Sequence, residues 1–198
     1  WPLDRLKAIA GFAREHRLLV HMDGARLMNA VVASGVSAKE YGAQVDTVWI
    51  DLSKGLGCPI GGVLAGSAEF IEEAWQWKQR LGGSMRQSGI IAAAGLYALK
   101  HNVTRLEEDH DNAKFLADRL AGIPGLEIDP TRVQTNIILL RMTSEKISAY
   151  QMAEMLSAQG IRIGVMSNRE VRLVTHLDVD RRGVTQAGEA IAKVLRDS

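Results

Sequence analysis

The stretches Leu18-Leu-Val-His-Met-Asp-Gly24 and Thr47-Val-Trp-Ile-Asp51 decide the fold of this chain. Each contains an apolar run as long as a buried strand, residues 18–22 and 47–50, and each run is closed by an aspartate. Between them, residues 26–33 have a helical pattern and Ser37-Ala-Lys-Glu40 is a capping-box signature. Two strands joined by a helical crossover form a parallel, right-handed βαβ unit. The sequence therefore predicts an α/β sheet whose ligand site lies beyond the carboxyl ends of these strands.

The flanking segments extend this unit into a mixed, mostly parallel sheet with helices. The run 62–65 follows Asp51 too closely for a crossover, so we expect it to pair antiparallel through a glycine-rich hairpin. Helical spacing predicts further helices over 2–16, 68–80 and 88–100. A long helix is expected from a cap at Asn102 to a stop at Gly122.

Beyond Ile123-Pro-Gly125 the pattern changes to short strands over 126–128, 135–141, 161–164 and 171–175, with helices over 148–158 and 185–196. This alternation is typical of a small α+β domain. We therefore divide the chain into 1–101, part of a large domain, 102–122, a connecting helix, and 123–198, a small C-terminal domain.

Composition excludes several classes of partner. The 198 residues include 24 Lys and Arg against 23 Asp and Glu, so no net field gathers nucleic acid or anionic lipid. The longest apolar stretch, 89–99, is far shorter than the roughly 20 residues of a membrane-spanning helix. The single cysteine and the lack of an export signal predict a cytoplasmic protein. Because Trp1 opens directly on a helix, we expect the chain to be the C-terminal portion of something longer.

Lys54 is the first candidate for chemistry. It follows a buried strand and is flanked by Gly55 and Gly57, where a ligand approaches the sheet edge, and desolvation there favours a nucleophilic amine. On position alone, a solvated loop lysine is the more common interpretation. Asp23 at the same edge changes this, because a pyridoxal phosphate (PLP) enzyme needs a lysine and a carboxylate that keeps the pyridine nitrogen protonated. Taken alone, Asp23-Gly24 is equally compatible with a simple turn.

Four ordered motifs resemble the low-specificity L-threonine aldolases, which belong to the aspartate-aminotransferase-like PLP superfamily (fold type I). They are His21-Met-Asp-Gly-Ala-Arg26, Leu52-Ser-Lys-Gly-Leu-Gly57, Gly82-Gly-Ser-Met-Arg-Gln87 and Val171-Arg-Leu-Val-Thr-His-Leu-Asp178. The resemblance covers essentially the whole chain. It implies an aldehyde-lyase that cleaves L-threonine and L-allo-threonine to glycine and acetaldehyde, in threonine catabolism and glycine biosynthesis, and that assembles as a homotetramer.

The resemblance also implies the site residues. Lys54 is expected to hold the cofactor as a Schiff base and Asp23 to partner its pyridine nitrogen. The arginine clamp for the substrate carboxylate is expected at Arg172, with Arg26 near both cofactor and substrate, although without the family an ordinary ion pair is the commoner role for Arg172. Arg86, and Ser53 through its hydroxyl, are expected near the cofactor phosphate. A loop cap is an equally plausible role for Ser53.

Two departures and one absence qualify this assignment. Gln79 and Ser84 stand where many relatives have a basic residue and a glycine, so a basic contact is expected to be lost or to move to Lys78 or Arg80. The glycine-rich phosphate loop, the residue that stacks on the ring and the proposed catalytic histidine all come, in the family, from the region before Trp1. The catalytic base is therefore expected outside this chain.

Two alternatives stay open: a β-eliminating lyase or phenylserine-type aldolase with the same cofactor, and a non-catalytic fragment. The five histidines have no metal-ligand spacing, so we expect no metal. His21 and His176 are expected to form structural hydrogen bonds. Cys58 is expected to be a small packing residue.

Overall fold

The computed structural model describes residues 1–198, which form two compact units, 1–106 and 107–198. In the first unit the helices are α1 (Leu3–Glu15), α2 (Leu27–Ser34), α3 (Ala38–Gly42), α4 (Ala68–Arg80) and α5 (Gly89–His101), and the strands are β1 (His21–Gly24), β2 (Thr47–Asp51) and β3 (Gly62–Ala65). No helix is long and apolar enough to cross a membrane.

The βαβ unit predicted from the sequence is confirmed. β1 pairs with β2 in parallel, with Asp23 opposite Trp49, and β3 pairs antiparallel on the other side of β2. The sheet is therefore mixed, in the order β1-β2-β3. α3 begins with the expected capping box, in which the Ser37 side chain accepts from the Glu40 N–H and Glu40 bonds back to the Ser37 N–H.

Strand β1 starts later than the apolar run predicted. α1 ends in a Schellman motif: the Leu18 N–H donates to the Ala13 carbonyl at 2.8 Å, and Arg17 adopts a left-handed φ of 56°. Leu18 and Leu19 are therefore part of the helix terminus and its exit, and their side chains are exposed. The strand begins at His21, where the backbone is free to pair with β2.

The close approach of β1 and β2 requires a glycine at position 24. A Cβ atom there would lie 2.4 Å from the Trp49 carbonyl oxygen, so the strands would have to separate. We expect Gly24→Ala to lower the free energy of unfolding by about 1–3 kcal/mol, as overpacking typically does. Urea denaturation measures this loss.

Gly11→Ala is the matched control, because Gly11 lies inside α1 and a Cβ atom added there would have nothing within 4 Å. Replacing a glycine in a helix interior should raise the free energy of unfolding by up to about 1 kcal/mol. Equal urea midpoints for the two variants would contradict the close-contact explanation.

The second unit contains α6 (Leu106–Leu120), a 3₁₀ turn (Pro130–Arg132), α7 (Ala149–Ser157) and α8 (Arg181–Asp197), with strands β4 (Leu126–Glu127), β5 (Ile137–Met142), β6 (Gly164–Val165) and β7 (Glu170–Val174). Its sheet is antiparallel, in the order β4-β5-β7-β6. Buried and exposed residues alternate along β5 and β7, so one face of the sheet carries the core. That core contains Leu116, Leu120, Ile138, Leu140, Met152, Leu156, Val171, Leu173, Val184 and Ile191.

Three boundaries in this region differ from the sequence analysis by three residues or more. Asn102 does not cap the long helix: it ends α5, and the helix starts at Leu106 and packs into the core of the second unit. The run 161–164 becomes a strand only at Gly164, because the Ile161 N–H donates to Leu156 and closes α7 as Leu18 closes α1. α8 begins at Arg181, four residues before the expected start, because the Asp180 side chain accepts from the Gly183 N–H at 2.7 Å and caps it.

Candidate active site

Asp23 and Lys54 lie on one face of the first sheet, at the edge where β1 and β2 end. Asp23 is registered with Trp49 across the parallel pair, so the two side chains point to the same face. The Lys54 Nζ atom lies over the Trp49 ring, 5.3 Å from its centroid. The structure therefore brings the predicted lysine and aspartate to the same face of adjacent strands.

Asp23 is exposed, and its carboxylate takes part in a turn. Its Oδ1 atom accepts a hydrogen bond from the Ala25 N–H at 3.1 Å, which is the turn that the sequence allowed as an alternative. This bond uses one acceptor site of a group that has several, so a donor from a ligand can still bind. The turn and a ligand-binding role are therefore compatible in the same residue.

The Lys54 loop is anchored on both sides. Leu52, Leu56 and Cys58 are buried against α5 and Leu106, while the lysine between them stays partly exposed. The Gly57 N–H donates to the Lys54 carbonyl at 2.9 Å, and Gly57 takes the left-handed φ of 75° that this turn needs. Asn102 completes the support by donating from Nδ2 to the Leu56 carbonyl at 2.7 Å.

Cys58 is a packing residue, as predicted. Its side chain is buried and its Sγ atom lies 3.5 Å from the Ala94 carbonyl oxygen. Burial raises the pKa of the thiol, which disfavours the reactive thiolate.

Asp51 is a site residue that the sequence analysis did not single out. Its Oδ2 atom lies 2.7 Å from the Lys54 Nζ atom, and its Oδ1 atom accepts from the Ser53 N–H at 2.7 Å and from the Ser53 hydroxyl at 2.6 Å. Burial acts to raise the pKa of Asp51, but hydrogen bonds from Lys54 and Ser53 and the Lys54 charge outweigh it and hold that pKa below its usual value. The signal in the sequence was its position three residues before the lysine, which a turn brings together.

Ser53 has the loop-capping role that was one of its two interpretations. Its hydroxyl has a single proton, which is given to Asp51. A phosphate contact through this hydroxyl would require that hydrogen bond to break, so the phosphate role of Ser53 stays a prediction.

The arginines predicted for the site occupy three places. Arg26 is the half-buried first residue before α2 and lines a small crevice together with Asp51 and Gly55. Arg86 lies in the exposed loop between α4 and α5. Arg172 lies on β7 in the second unit, opposite Leu139 and on the sheet face away from the core.

The two histidines of the motifs form local hydrogen bonds, as expected. His21 Nδ1 lies 2.8 Å from the Thr47 hydroxyl on the neighbouring strand. His176 Nδ1 accepts from the Asp178 N–H at 3.3 Å.

The arrangement fits the cofactor that the resemblance implies. An amine for covalent attachment and a carboxylate for a protonated ring nitrogen are the two groups that pyridoxal phosphate requires from this part of a site. Both stand at the carboxyl edge of parallel strands, where open α/β sheets bind ligands.

Known proteins resemble this chain in sequence and in fold. Residues 1–143 match the family model described as beta-eliminating lyase. The low specificity L-threonine aldolase of Escherichia coli (strain K12) is 45% identical over 185 residues, which are 93% of this chain and 54% of that protein. The chain thus spans about half the length of the curated relatives it matches.

Solved structures share the fold. A Listeria monocytogenes protein assigned as an L-allo-threonine aldolase superposes with a TM-score of 0.79 at 22% identity, over 98% of this chain and 57% of that one. Ornithine delta-aminotransferase of Plasmodium falciparum superposes with a TM-score of 0.65 at 15% identity, over 98% of this chain and 51% of that one. These likenesses confirm the predicted fold type I, and the match over most of the sequence means that the chain belongs to the beta-eliminating lyase family.

Proposed function

We propose that the protein is a pyridoxal-phosphate-dependent aldolase that cleaves L-threonine and L-allo-threonine to glycine and acetaldehyde. The observation that carries this proposal is the shared sheet face of Asp23 and Lys54, within a chain that is 45% identical to an L-threonine aldolase. The proposal concerns the whole protein.

Each half of this pair has a distinct task. Lys54 provides the amine that attaches the cofactor covalently, and its anchored loop presents that amine at the sheet edge. Asp23 accepts a hydrogen bond from the pyridine nitrogen and keeps the proton on it, since a neighbouring carboxylate favours a cationic partner. When bound, pyridoxal phosphate supplies an electron sink for the bond that breaks.

The arginines orient the substrate and the cofactor. Arg172 binds the substrate carboxylate, because a guanidinium fork matches a carboxylate with two parallel hydrogen bonds, and Arg26 assists it. A fixed carboxylate determines which bond of the α carbon is aligned for cleavage. Arg86 binds the phosphate, and the Ser53 hydroxyl binds it by exchanging its hydrogen bond to Asp51 for one to a phosphate oxygen.

Two measurements on the full-length protein test this function. Borohydride treatment in the presence of pyridoxal phosphate should add the mass of the reduced cofactor to the peptide that contains Lys54. Incubation of a separate, unreduced sample with L-threonine should release equimolar glycine and acetaldehyde. A colourless protein that gains no mass at Lys54 supports the alternative of a non-catalytic fragment.

A second candidate function is β-elimination, which the family description favours. Elimination yields a keto acid and ammonia, whereas aldol cleavage yields glycine and an aldehyde. The same assay therefore separates the two, and L-phenylserine as substrate, with benzaldehyde as product, detects a phenylserine-type aldolase.

We also propose that the protein is a cytoplasmic homotetramer. Large apolar side chains on and around α4 and α5 are exposed, including Trp75 (51%), Trp77 (50%), Leu81 (80%) and Ile90 (81%). Apolar patches of this kind mark protein contacts. Light scattering coupled to size-exclusion chromatography gives the assembly mass.

A further inference from the structure

The fold provides a defined binding site for the Lys54 amine. Three features surround it: the Asp51 carboxylate at 2.7 Å, the Trp49 ring at 5.3 Å, and the Ser53 residue that fixes Asp51. An exposed ion pair between flexible side chains usually contributes little to stability, because immobilising both side chains costs conformational entropy. Here the Asp51 side chain is only 12% exposed, and two hydrogen bonds from Ser53 already hold it. Forming the ion pair therefore has to immobilise mainly the lysine side chain.

The strand geometry leaves space for the Trp49 ring, which is the second partner in this binding site of the amine. Trp49 and Asp51 are two residues apart on β2 and point to the same face. Gly62, which is registered with Asp51, leaves space for the indole, since a Cβ there would lie 3.3 Å from the Trp49 Cε3 atom. The ammonium therefore has a carboxylate and an aromatic ring as partners at once, and an aromatic face attracts a cation.

We propose that Asp51 is a positioning residue, which with Trp49 holds the Lys54 amine in place as an ammonium whenever that amine is not bonded to the cofactor. The proposal rests on the proposed function, in which Lys54 attaches the cofactor covalently. A released lysine on four flexible carbons would otherwise sample solvent. Holding the amine close to the cofactor keeps its effective concentration high for renewed bonding of Lys54 to the cofactor.

Other charged groups share this neighbourhood. Asp23 on β1 lies on the same face and is registered with Trp49, and Arg26 lines a crevice together with Asp51. β3 carries no titratable side chain. Asp23 is kept in every variant below, so a difference between them reports on Asp51.

The test is the reactivity of Lys54 in the cofactor-free, full-length protein. Reductive methylation with formaldehyde and a borane labels only the uncharged amine, and peptide mass spectrometry reads Lys54 separately from other lysines. Because Asp51→Asn removes the ionic contact at 2.7 Å that holds the amine away from the reagent, Lys54 should be labelled about fivefold faster at pH 7 in this variant than in the natural protein.

Asp46→Asn is the matched control. It removes the same charge from the residue just before β2, while Asp51 ends that strand, and the two positions are roughly 15 Å apart along an extended chain. Its Lys54 should be labelled at the natural rate, and Lys39 on α3 should be labelled equally in all three proteins. Trp49→Phe keeps an aromatic ring and should change the rate less than Asp51→Asn does.

Two results would overturn the proposal: Lys54 labelled at the natural rate in Asp51→Asn, or labelled faster in both asparagine variants. Failure of the proposed function is recognised separately. It appears as no cofactor mass on Lys54 of the natural protein after borohydride, a measurement that does not involve Asp51.

Discussion

Replacing Lys54 by alanine is expected to abolish covalent attachment of pyridoxal phosphate and to reduce threonine cleavage by roughly a thousandfold or more, the scale typical of losing a nucleophile. Neither neighbour can substitute for it. Ser53 is engaged with Asp51, and Gly55 has no side chain. The measurements are the mass of the borohydride-treated Lys54 peptide and the rate of acetaldehyde release.

Lys54→Arg separates the amine from its charge. An arginine keeps a cation beside Asp51 and over Trp49 but is not a nucleophile at neutral pH. Lys39→Ala, an exposed substitution on α3, controls for the loss of one positive charge. Lys54→Arg should be as inactive as Lys54→Ala, with an unchanged circular dichroism spectrum. Cleavage by Lys54→Arg at the natural rate would refute the role of Lys54.

Asp23→Asn is expected to leave the fold intact and to lower the rate of cleavage by roughly a hundredfold or more, as loss of a preorganised charge at a reacting group does. The asparagine has the shape of the aspartate, and its Oδ1 atom can still accept from the Ala25 N–H. It is neutral, so it no longer favours a protonated pyridine nitrogen. Steady-state kinetics and the visible spectrum of the cofactor measure the effect.

Asp46→Asn controls for this substitution as well. Asp46 is exposed just before β2 and accepts from the Val20 N–H at 2.7 Å, a bond that an asparagine oxygen can also form. The rate of threonine cleavage by Asp46→Asn should stay near that of the natural protein. Equal losses in Asp23→Asn and Asp46→Asn would mean that the effect comes from sheet stability and not from the cofactor.

Local signals in the sequence were sufficient for most of the fold. The capping box at Ser37, the stop at Gly122 and the helix 68–80 are as expected, because each depends on interactions between residues a few positions apart. The parallel pairing of β1 and β2 was also predictable, since a helical crossover leaves the second strand no other orientation.

The errors at Leu18, Ile161 and Asn102 share a cause: a hydrogen-bonding group has a partner other than the expected one. The runs at Leu18 and Ile161 are apolar, but their first backbone N–H groups close the preceding helices and cannot pair in a sheet. Asn102 has a residue type typical of a helix cap, yet its side chain bonds to the Leu56 carbonyl, 46 residues earlier in the chain. The residue type shows which side chain can form such a hydrogen bond, but the identity of its partner depends on the tertiary fold.

The candidate site also has some features that the sequence determines and others that depend on the tertiary structure. The sequence by itself determined that Asp23 and the Lys54 loop lie at the ends of neighbouring strands, because chain order and crossover length determine which strand ends share an edge. Only the tertiary structure decided that Trp49 and Asp51 lie beside the lysine amine, and that Ser53 serves Asp51. These contacts depend on side-chain direction, on the space left by Gly62 and on the turn at Gly57, none of which is encoded in residue spacing alone.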